Sequence, residues 1–571
     1  MTVPPVPPAL PSLTAPWPPP PGARRTNLAV PPPPPPSPAR RAALIIVLAL
    51  ALIVGGLYLW RSVGPGRPEG ADSPSPEVSG VLSGPVASPS PDAPADPTTM
   101  PDRPNTLLQD VWVPGFVDPP PGQGLERYLQ QTVDWQACSV GQVEARCADI
   151  AVPLDYDYPD WRAITLALVV RPAQSPGLGP LFINPGGPGA PGRTMPFMID
   201  AAALPGYDLV GWDPRGTGDS TPVVCDTDLD QLRSHDVSPD DAAEEQALIQ
   251  AWRDFDQSCA AGSGSLLGFI STADTVADLD LMRALLGASQ LNYLGFSYGT
   301  AIGALYADTH PELVGRMVLD SPVDITGDET VDQAMGFEQA FDHFAQWCGQ
   351  QACRLGQTAE AVASATIAWL DDLDQAPVPV GERQLTQSLA LDGIAYFLYF
   401  DASVYPYLAQ AVADAWDGRG EDLLTAADDL WERDANGAYS TLLPAFTAIR
   451  CLDEADDGLA AALKRWAGRS SWFARLSGPD LACAVWPLGA LPAPRLTAAG
   501  AAPILVVGAT GDSATPYQYA QGMVQQMPSA VLLTYDGPGH ATYSGRNDCI
   551  DAAVNRYFNQ GVLPEAGTVC R

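Results

Sequence analysis

The stretch LNYLGFSYGTAIG, residues 291–303, places one serine between two glycines where an apolar run changes into a helix-forming run. Residues 295–299 read G-F-S-Y-G, the G-x-S-x-G pattern of a serine on a sharp strand-to-helix turn. Small residues two positions before and after the serine avoid a clash in that turn, which leaves the hydroxyl exposed. The pattern indicates a nucleophile, although short matches arise by chance and an ordinary serine in a strand–turn–helix is the alternative. A nucleophilic Ser297 requires a base and an acid elsewhere in the chain.

Apolar runs and helical patterns alternate along most of the chain, which predicts an α/β fold with a mainly parallel sheet and helices on both faces. Helical patterns cover residues 240–255 and 272–287. Helical segments with little strand occupy residues 325–500, and they predict a helical cap, or lid, inserted between two parts of the sheet domain at 105–324 and 501–571. Buried strands are predicted at ITLALVV (164–170), LFIN (181–184), YDLVGWD (207–213), LNYLGF (291–296), RMVLD (316–320), ILVVGA (504–509) and VLLTYDG (531–537).

The order of the late strands predicts the base and the acid. Of the four histidines in the chain, only His540 follows a late strand, in the loop YDGPGHATY. Asp512 lies just beyond the preceding strand, in ILVVGATGDSATP. Around a nucleophile on this kind of turn the chain order is serine, acid, histidine, so the sequence predicts a Ser297–Asp512–His540 triad. Non-catalytic roles are expected for the other histidines, which are His235, His310 and His343.

A tetrahedral intermediate requires hydrogen-bond donors for its oxyanion. One donor is expected to be the backbone amide of Tyr298, the residue after the nucleophile. The second is expected in the glycine-rich loop LFINPGGPGAPG (181–192), and we assign it to Gly187, with the neighbouring Gly186 as the alternative. A phosphate-binding loop is the rival interpretation, but its Gly-Lys-Ser/Thr element is absent. Acyl transfer through such a site needs no metal and no organic cofactor.

The ten cysteines all follow the apolar segment near the N-terminus, and none forms a C-x-x-C pair. Their even number predicts disulfides in an oxidising compartment rather than metal sites. Free thiols buried in the core are the alternative, and sequence alone leaves other pairings open. Joining each cysteine to its next neighbour predicts five bridges, which are Cys138–Cys147, Cys225–Cys259, Cys348–Cys353, Cys451–Cys483 and Cys549–Cys570.

The N-terminal region is predicted to anchor the protein. Residues 1–41 form a proline-rich tail, expected to be extended and a candidate ligand for a cytoplasmic partner. Residues 42–60 carry no charge and are long enough, as a helix, to span a membrane. Arginines precede this segment, so the positive-inside rule predicts a cytoplasmic N-terminus and an extracytoplasmic catalytic part. A cleaved signal peptide, which would release the protein, is the alternative. Residues 61–104, rich in Pro, Ser, Asp and Ala, are predicted to be a disordered stalk.

The net charge excludes one class of partner. The chain has 66 acidic and 30 Lys or Arg residues, which gives a formal net charge of −36. Such a chain is repelled by nucleic-acid backbones, so no nucleic-acid partner is expected. The predicted partners are a peptide or ester substrate and the membrane, through the N-terminal helix.

Several motifs occur together in a specific order, and they are NPGGPG (184–189), GWDPRGTGDS (211–220), TADTVADLDLMRALLG (272–287) leading into LNYLGFSYGT (291–300), VLDSPVD (318–324), GDSATP (511–516) and GPGHATY (537–543). As a set they resemble the secreted tripeptidyl-aminopeptidase-like α/β hydrolases of actinobacteria. These are relatives of the prolyl aminopeptidases and include cell-envelope serine hydrolases first described as carboxylesterases. The resemblance covers roughly residues 125–571.

This resemblance implies an α/β-hydrolase core with a helical cap after VLDSPVD, and the same triad. It matches residues 186–189 to the family's oxyanion loop, and AIRCLDEADD (448–457) to an A-I-x-C-x-D stretch near the end of the cap. Arg215, in WDPRGTG, matches a position usually present in the family, and we expect it to hold its loop by ionic hydrogen bonds. Relatives often begin with an ordinary secretory signal or a lipid anchor, and the proline-rich tail with its apolar segment departs from that pattern.

The predicted function is an extracytoplasmic serine hydrolase, an aminopeptidase that releases tripeptides or N-terminal residues through an acyl-enzyme. An aminopeptidase needs carboxylates for the substrate's α-ammonium, and the candidates are Asp453, Glu454 and Glu338. A carboxylesterase is the alternative, and it would need an apolar acyl pocket. A non-catalytic envelope scaffold is a remote alternative that would not explain the triad. Ser297 argues against haloalkane- or epoxide-type hydrolases, which use an Asp nucleophile. The aromatic residues offered by the cap, for such a pocket or for its own core, are Phe397, Tyr399, Phe400, Tyr405 and Tyr407.

Overall fold

The computed structural model describes residues 111–175, 177–326, 332–454, 458–490 and 495–571. The proline-rich tail, the segment at 42–60 predicted to span a membrane and the stalk at 61–104 lie outside the described residues. Among the helices in the described ranges, none combines the length and the apolar character needed to cross a membrane.

The described strands are β1 (Phe116–Val117), β2 (Gln136–Val140), β3 (Val143–Pro153), β4 (Ala163–Arg171), β5 (Gly179–Asn184), β6 (Tyr207–Trp212), β7 (Leu291–Phe296), β8 (Val314–Asp320), β9 (Val378–Val380), β10 (Arg383–Leu385), β11 (Ile504–Gly511), β12 (Ala530–Pro538) and β13 (Val569–Cys570). Eleven of them form one sheet in the order β13-β12-β11-β8-β7-β5-β6-β4-β3-β2, with β1 beside β4. The strands from β5 to β13 in this sheet run parallel, whereas β1 to β4 are antiparallel to their neighbours.

All seven predicted strands are present, each to within a residue or two of its predicted ends. The mainly parallel sheet is therefore confirmed. The sequence prediction missed β2 and β3, because β2 has no buried residue and β3 mixes exposed with buried residues, so neither is a continuous apolar run. The strands near the nucleophile are buried on both faces and appear in the sequence as continuous apolar runs.

The described α-helices are α1 (Glu126–Leu129), α2 (Met195–Met198), α3 (Leu229–Ser234), α4 (Ala242–Ser263), α5 (Thr272–Leu285), α6 (Gly299–Thr309), α7 (Gln333–Gln350), α8 (Ala359–Gln375), α9 (Gln387–Leu398), α10 (Tyr405–Trp416), α11 (Glu421–Leu430), α12 (Leu442–Asp453), α13 (Leu459–Ala467), α14 (Trp472–Leu476), α15 (Ala482–Val485), α16 (Tyr517–Gln526) and α17 (Asp548–Gln560). Helices α4 and α5 begin where the sequence supplies a capping box. Asp241 and Glu244 form one box, and Ser271 and Asp274 form the other.

The chain between β8 and β11 is mainly helical and divides its packing between two hydrophobic cores. Helices α7 to α11 enclose a core of their own, which includes Phe341 and Phe344. Helix α12 shares the core of the sheet instead, through Leu443, Ile449 and Leu452. The inserted segment is therefore partly built into the sheet domain. The boundaries predicted for it at 325 and 500 stay a prediction.

The cysteines of the described chain are all paired, each with its next neighbour in the sequence, as the spacing predicted. The bridge between Cys451 and Cys483 ties helix α12 to helix α15. The bridge between Cys549 and Cys570 joins helix α17 to the edge strand β13.

Candidate active site

Ser297 stands between the end of β7 and the start of α6, in a backbone conformation that few residues with a side chain adopt. Its φ is +53°, in the left-handed region, which is characteristic of a strained functional turn. A Cβ on Gly295 would collide with the Gly299 carbonyl oxygen, and one on Gly299 would lie 2.8 Å from Asn184 Oδ1. The two glycines of the motif are therefore required by the close approach of the backbone in the turn.

Asp512 and His540 lie side by side in the loops that follow β11 and β12. His540 Nδ1 is 2.9 Å from Asp512 Oδ1 and 3.1 Å from Oδ2. The carboxylate of Asp512 is buried, and it also accepts hydrogen bonds from the backbone amides of Ala514 (3.0 Å) and Thr515 (2.8 Å). These bonds fix the carboxylate, and the carboxylate in turn orients the imidazole ring.

Two of the other histidines lie in structural positions. His310 stacks on Tyr306, with ring centroids 4.9 Å apart. The carbonyl of His235 accepts a hydrogen bond from Ser388 Oγ. His343 lies on α7 near the acid loop, where its Cε1 is 3.3 Å from the position of a Cβ on Gly511. This proximity was not anticipated from the sequence.

The glycine loop after β5 packs directly against the serine turn. A Cβ built on Gly186 would lie 3.0 Å from both Ser297 Cβ and the Tyr298 amide nitrogen. The amide of Gly186 itself donates to Asn184 Oδ1 at 2.9 Å, so it is already engaged. Of the two glycines considered as the second oxyanion donor, this arrangement favours Gly187 over Gly186.

Three residues for which the sequence analysis predicted no such contact touch the base, the acid or the loop that carries the base. Thr515 Oγ1 lies 3.3 Å from His540 Nδ1. The carbonyl of Tyr399 accepts the His540 backbone amide at 3.0 Å, and its ring meets the imidazole edge-on at 5.4 Å. The carboxylate of Asp320 accepts hydrogen bonds from the loop after His540. The sequence offered a signal for Asp320, an acid at the end of an apolar strand. It named Tyr399 only as one of five cap aromatics and gave no signal for its contact with His540.

A family model described as the alpha/beta hydrolase fold matches residues 179–545, more than half of the chain. The chain belongs to the α/β-hydrolase family. Individual members of the family are similar to this chain over most of its length. It is 34% identical over 485 residues to a protein named Serine protease Hip1 from Mycobacterium tuberculosis, covering 78% of this chain and 92% of the relative.

Two further relatives of this α/β hydrolase carry other names. Carboxylesterase B from Mycobacterium tuberculosis is 36% identical over 453 residues, covering 75% of this chain and 86% of the relative. Tripeptidyl aminopeptidase from Streptomyces lividans is 29% identical over 495 residues, covering 78% of this chain and 87% of the relative. The resemblance to tripeptidyl-aminopeptidase-like enzymes of actinobacteria is confirmed, and the protein is a serine hydrolase.

The three carboxylates considered for a substrate amine occupy different positions in this hydrolase. Asp453, at the end of α12, accepts the Thr272 amide at 2.9 Å and the Thr272 hydroxyl at 2.5 Å. The same hydroxyl contacts the phenol of Tyr298, so the side chain of Thr272 connects Asp453 to the residue after Ser297. Burial raises the pKa of Asp453 to about 6, against the lowering effect of the Thr272 hydrogen bonds.

Glu454 follows Asp453, and its side chain is 62% exposed, with a long ion pair of 3.9 Å to Arg450. Burial raises the pKa of the Tyr298 phenol, and the negative charges of Asp453 and Glu454 raise it further. Glu338 lies elsewhere, on α7, where it accepts a hydrogen bond from Ser471 Oγ. Of the three candidates, Asp453 is connected to the serine turn through Thr272, and Glu454 is its neighbour in the chain.

The aromatic residues of the helical insertion do not form one acyl pocket. Phe397 and Tyr405 are buried in the insertion's own core, and Tyr407 is exposed on the surface. Phe400 packs against Tyr396, with ring centroids 5.3 Å apart. Tyr399 is the one of the five whose ring, within the described ranges, contacts a member of the predicted triad.

Arg215 has the structural role expected for it. Its guanidinium is fully buried and binds both oxygens of Asp278, at 2.7 and 2.6 Å. Its remaining hydrogens reach the backbone carbonyls of Pro153, Leu154 and Phe269. These bonds tie the loop after β6 to β3 and α5. Within the described ranges, no three His, Cys, Asp or Glu side chains are grouped as a metal site.

Proposed function

We propose that the protein is an extracytoplasmic serine aminopeptidase that releases tripeptides or N-terminal residues through a Ser297–Asp512–His540 triad. The observation that carries the proposal is the 2.9 Å contact between the buried Asp512 carboxylate and His540 Nδ1, in the loops after β11 and β12 of the sheet whose strand β7 leads into the strained Ser297 turn. The names of the relatives support the peptidase activity, since two of the three described above are a serine protease and a tripeptidyl aminopeptidase.

In the proposed mechanism, His540 Nε2 removes the proton from Ser297 as Oγ attacks the substrate carbonyl carbon. The amides of Tyr298 and Gly187 donate to the oxyanion of the tetrahedral intermediate. The imidazolium then protonates the leaving amine, and an acyl-enzyme on Ser297 remains. A water molecule, deprotonated by His540, attacks this ester and releases the acyl product. Asp512 holds the ring in the required tautomer and stabilises the imidazolium.

The substrate amine is assigned to the carboxylates at the end of α12. Asp453 is engaged by Thr272 and faces the Tyr298 ring, whereas the exposed carboxylate of Glu454 makes only the long ion pair with Arg450 among the described residues. We therefore assign the direct contact with the α-ammonium to Glu454 and the electrostatic support to Asp453. Glu338 is less suited, because its hydrogen bond with Ser471 belongs to the cap of α14.

A carboxylesterase is the second candidate, because a relative of that name is 36% identical to this chain. An ester substrate would use the same triad and oxyanion donors without an ammonium site. The ring of Tyr399 beside His540 would then contact the acyl or alkoxy group.

The proposed location is the outer face of a membrane. Five disulfides favour an oxidising compartment, and the uncharged segment at 42–60 favours an anchor. Fractionation of cells that express the full chain, or the chain without residues 42–60, tests this. Recovery of both proteins in the same soluble fraction would contradict the anchor.

The function is tested with the full chain and with a Ser297→Ala version, produced under oxidising conditions. Each is assayed on tripeptidyl and single-residue anilides with free amines, on their N-acetylated forms and on short acyl esters. We expect cleavage of the free-amine peptides, loss of cleavage on acetylation, and loss of at least about 1,000-fold in kcat in Ser297→Ala. Turnover of esters alone would establish the carboxylesterase. Folded protein that is inert on every substrate would contradict the triad.

The same panel tests the amine site. Glu454→Gln should raise KM for free-amine peptides about 10-fold or more, because a charge-assisted hydrogen bond is lost, and should leave ester turnover unchanged. Glu338→Gln is the matched control and should keep the wild-type KM. Equal behaviour of the two variants would remove Glu454 from the amine site.

A further inference from the structure

The backbone that follows the proposed base is held by an unbroken series of hydrogen bonds. The amides of residues 539–545 all donate, in turn to the Gly511 carbonyl, the Tyr399 carbonyl, Ser321 Oγ, twice to Asp320 and twice to Asp551. A surface loop normally leaves many of its amides to water. The loop around His540 is therefore fixed by its protein surroundings.

This fixed loop contains backbone strain directly beside His540. Ala541 has a φ of +60°, in the left-handed region, where a Cβ is unfavourable by roughly 1–2 kcal/mol. Such a conformation persists only when surrounding contacts impose it. The contacts on either side of Ala541 are the hydrogen bonds to Tyr399, Ser321 and Asp320.

Asp320 accepts three hydrogen bonds from this loop, one more than Asp551. Its carboxylate is 0% exposed and accepts from the Thr542 amide at 2.9 Å, the Thr542 hydroxyl at 2.9 Å and the Tyr543 amide at 2.7 Å. Burial raises the pKa of Asp320, while these donors and the nearby His540 favour its charged form. The proposed mechanism gives this carboxylate no chemical step.

The backbone of the same residue holds the proposed nucleophile. The carbonyl of Asp320 accepts the amide of Ser297 at 3.0 Å. Asp320 ends β8, which lies between β7, the strand of the serine, and β11, the strand of the acid. One residue therefore binds the serine turn through its main chain and the histidine loop through its side chain.

We infer that Asp320 is a positioning residue that fixes the distance between Ser297 and His540 by binding both of their loops. This inference rests on the proposed triad. It differs from a role in fold stability alone, because it requires that the loss of the carboxylate affects the chemical step beyond its effect on folding.

Asp551 provides a matched control. It is also a carboxylate that accepts two amides of the same loop, those of Ser544 and Gly545, at 2.8 Å each. Its contacts begin four residues after His540 and do not reach the serine turn. A purely structural role predicts equal consequences for the two carboxylates.

The test compares Asp320→Asn with Asp551→Asn in the full chain, using whichever substrate the wild type cleaves. The side-chain amide introduced at position 320 presents a donor where the loop needs acceptors. We expect kcat to fall about 100-fold with KM nearly unchanged, as for other misplacements of a catalytic group by about 1 Å. The rate of labelling by a fluorophosphonate should fall by the same factor. Asp551→Asn should keep kcat within about threefold of wild type at a similar loss of melting temperature.

A milder variant covers the case in which Asp320→Asn does not fold. Thr542→Val removes one donor to Asp320 and leaves both amides in place, so kcat should fall about three- to tenfold in folded protein, with KM unchanged. Equal losses of kcat in Asp320→Asn and Asp551→Asn, or full activity of folded Thr542→Val, would overturn the inference. Wild-type protein that is inert on every substrate would instead overturn the proposed function, and this inference with it.

Discussion

At the scale of single residues, the helix α4 contains a carboxylate whose environment disfavours its charge. Asp256 is 3% exposed, and neither of its carboxylate oxygens has a hydrogen-bond partner among the residues that the structure describes. Burial raises its pKa to about 8, far above the value of about 4 expected in the unfolded chain. The native protein therefore binds a proton there that the unfolded chain releases between about pH 4 and pH 8.

This difference in bound protons makes the free energy of unfolding depend on pH. Because the native state binds more protons in that window, the free energy of unfolding falls as the pH rises from about 4 to 8. Asp256→Asn removes the titrating group, and it should raise the melting temperature at pH 8 while changing it little at about pH 4.5. Thermal unfolding at both pH values measures this. Asp254→Asn, which changes an exposed carboxylate on the same helix, should leave the pH dependence as in the wild type. If the melting temperature of Asp256→Asn depends on pH as that of the wild type does, Asp256 is not the buried, protonated carboxyl that we describe.

At the scale of elements, the loop after β5 has no room for one added carbon at Gly186. Gly186 has a φ of +97°, and a Cβ there would lie 2.5 Å from the Phe296 carbonyl oxygen and 3.0 Å from Ser297 Cβ. An alanine can be accommodated only if the loop moves away from the serine turn.

Gly186→Ala should therefore lower kcat/KM about 100-fold, because it displaces the proposed oxyanion donor. Gly141→Ala is the matched control, since Gly141 also has a positive φ, +59°, but no atom within 4 Å of its Cβ position. The control should show near-wild-type activity and only a small loss of stability. Steady-state kinetics on both variants decides the matter, and an active Gly186→Ala would mean that the loop does not determine the geometry of the site.

The elements differ in how far the sequence predicts them, and the reason is the range of the interactions. The strand–serine–helix turn is specified within a few residues, so a local pattern predicts it. The acid and the base follow from strand order. Strands β2 and β3 were missed because neither contains a continuous apolar run. The position of Tyr399 beside His540 could not be predicted in this way, because the contact exists only when the helical insertion packs on the sheet.

At the scale of the whole molecule, the helical insertion contributes to the site rather than merely covering it. Helix α7 reaches the acid loop through Gln333, which donates to the Ala514 carbonyl at 2.9 Å. Helix α12 packs its first turn on Gly189 of the glycine loop after β5, and it ends at Asp453, which Thr272 connects to Tyr298. The cysteine spacing predicted the pairing that ties this helix down, because each cysteine pairs with its next neighbour. The division of the insertion between two cores was not visible in its uniform helical pattern.

The central claim is that Ser297 is a nucleophile activated by His540 and Asp512, and covalent labelling tests it most directly. The full chain is treated with diisopropyl fluorophosphate, and the modified peptide is located by mass spectrometry. We expect a single adduct on Ser297, absent in Ser297→Ala and formed at least about 1,000-fold more slowly in His540→Ala. Folded wild-type protein that stays unlabelled, or that carries its adduct on another serine, would contradict the account.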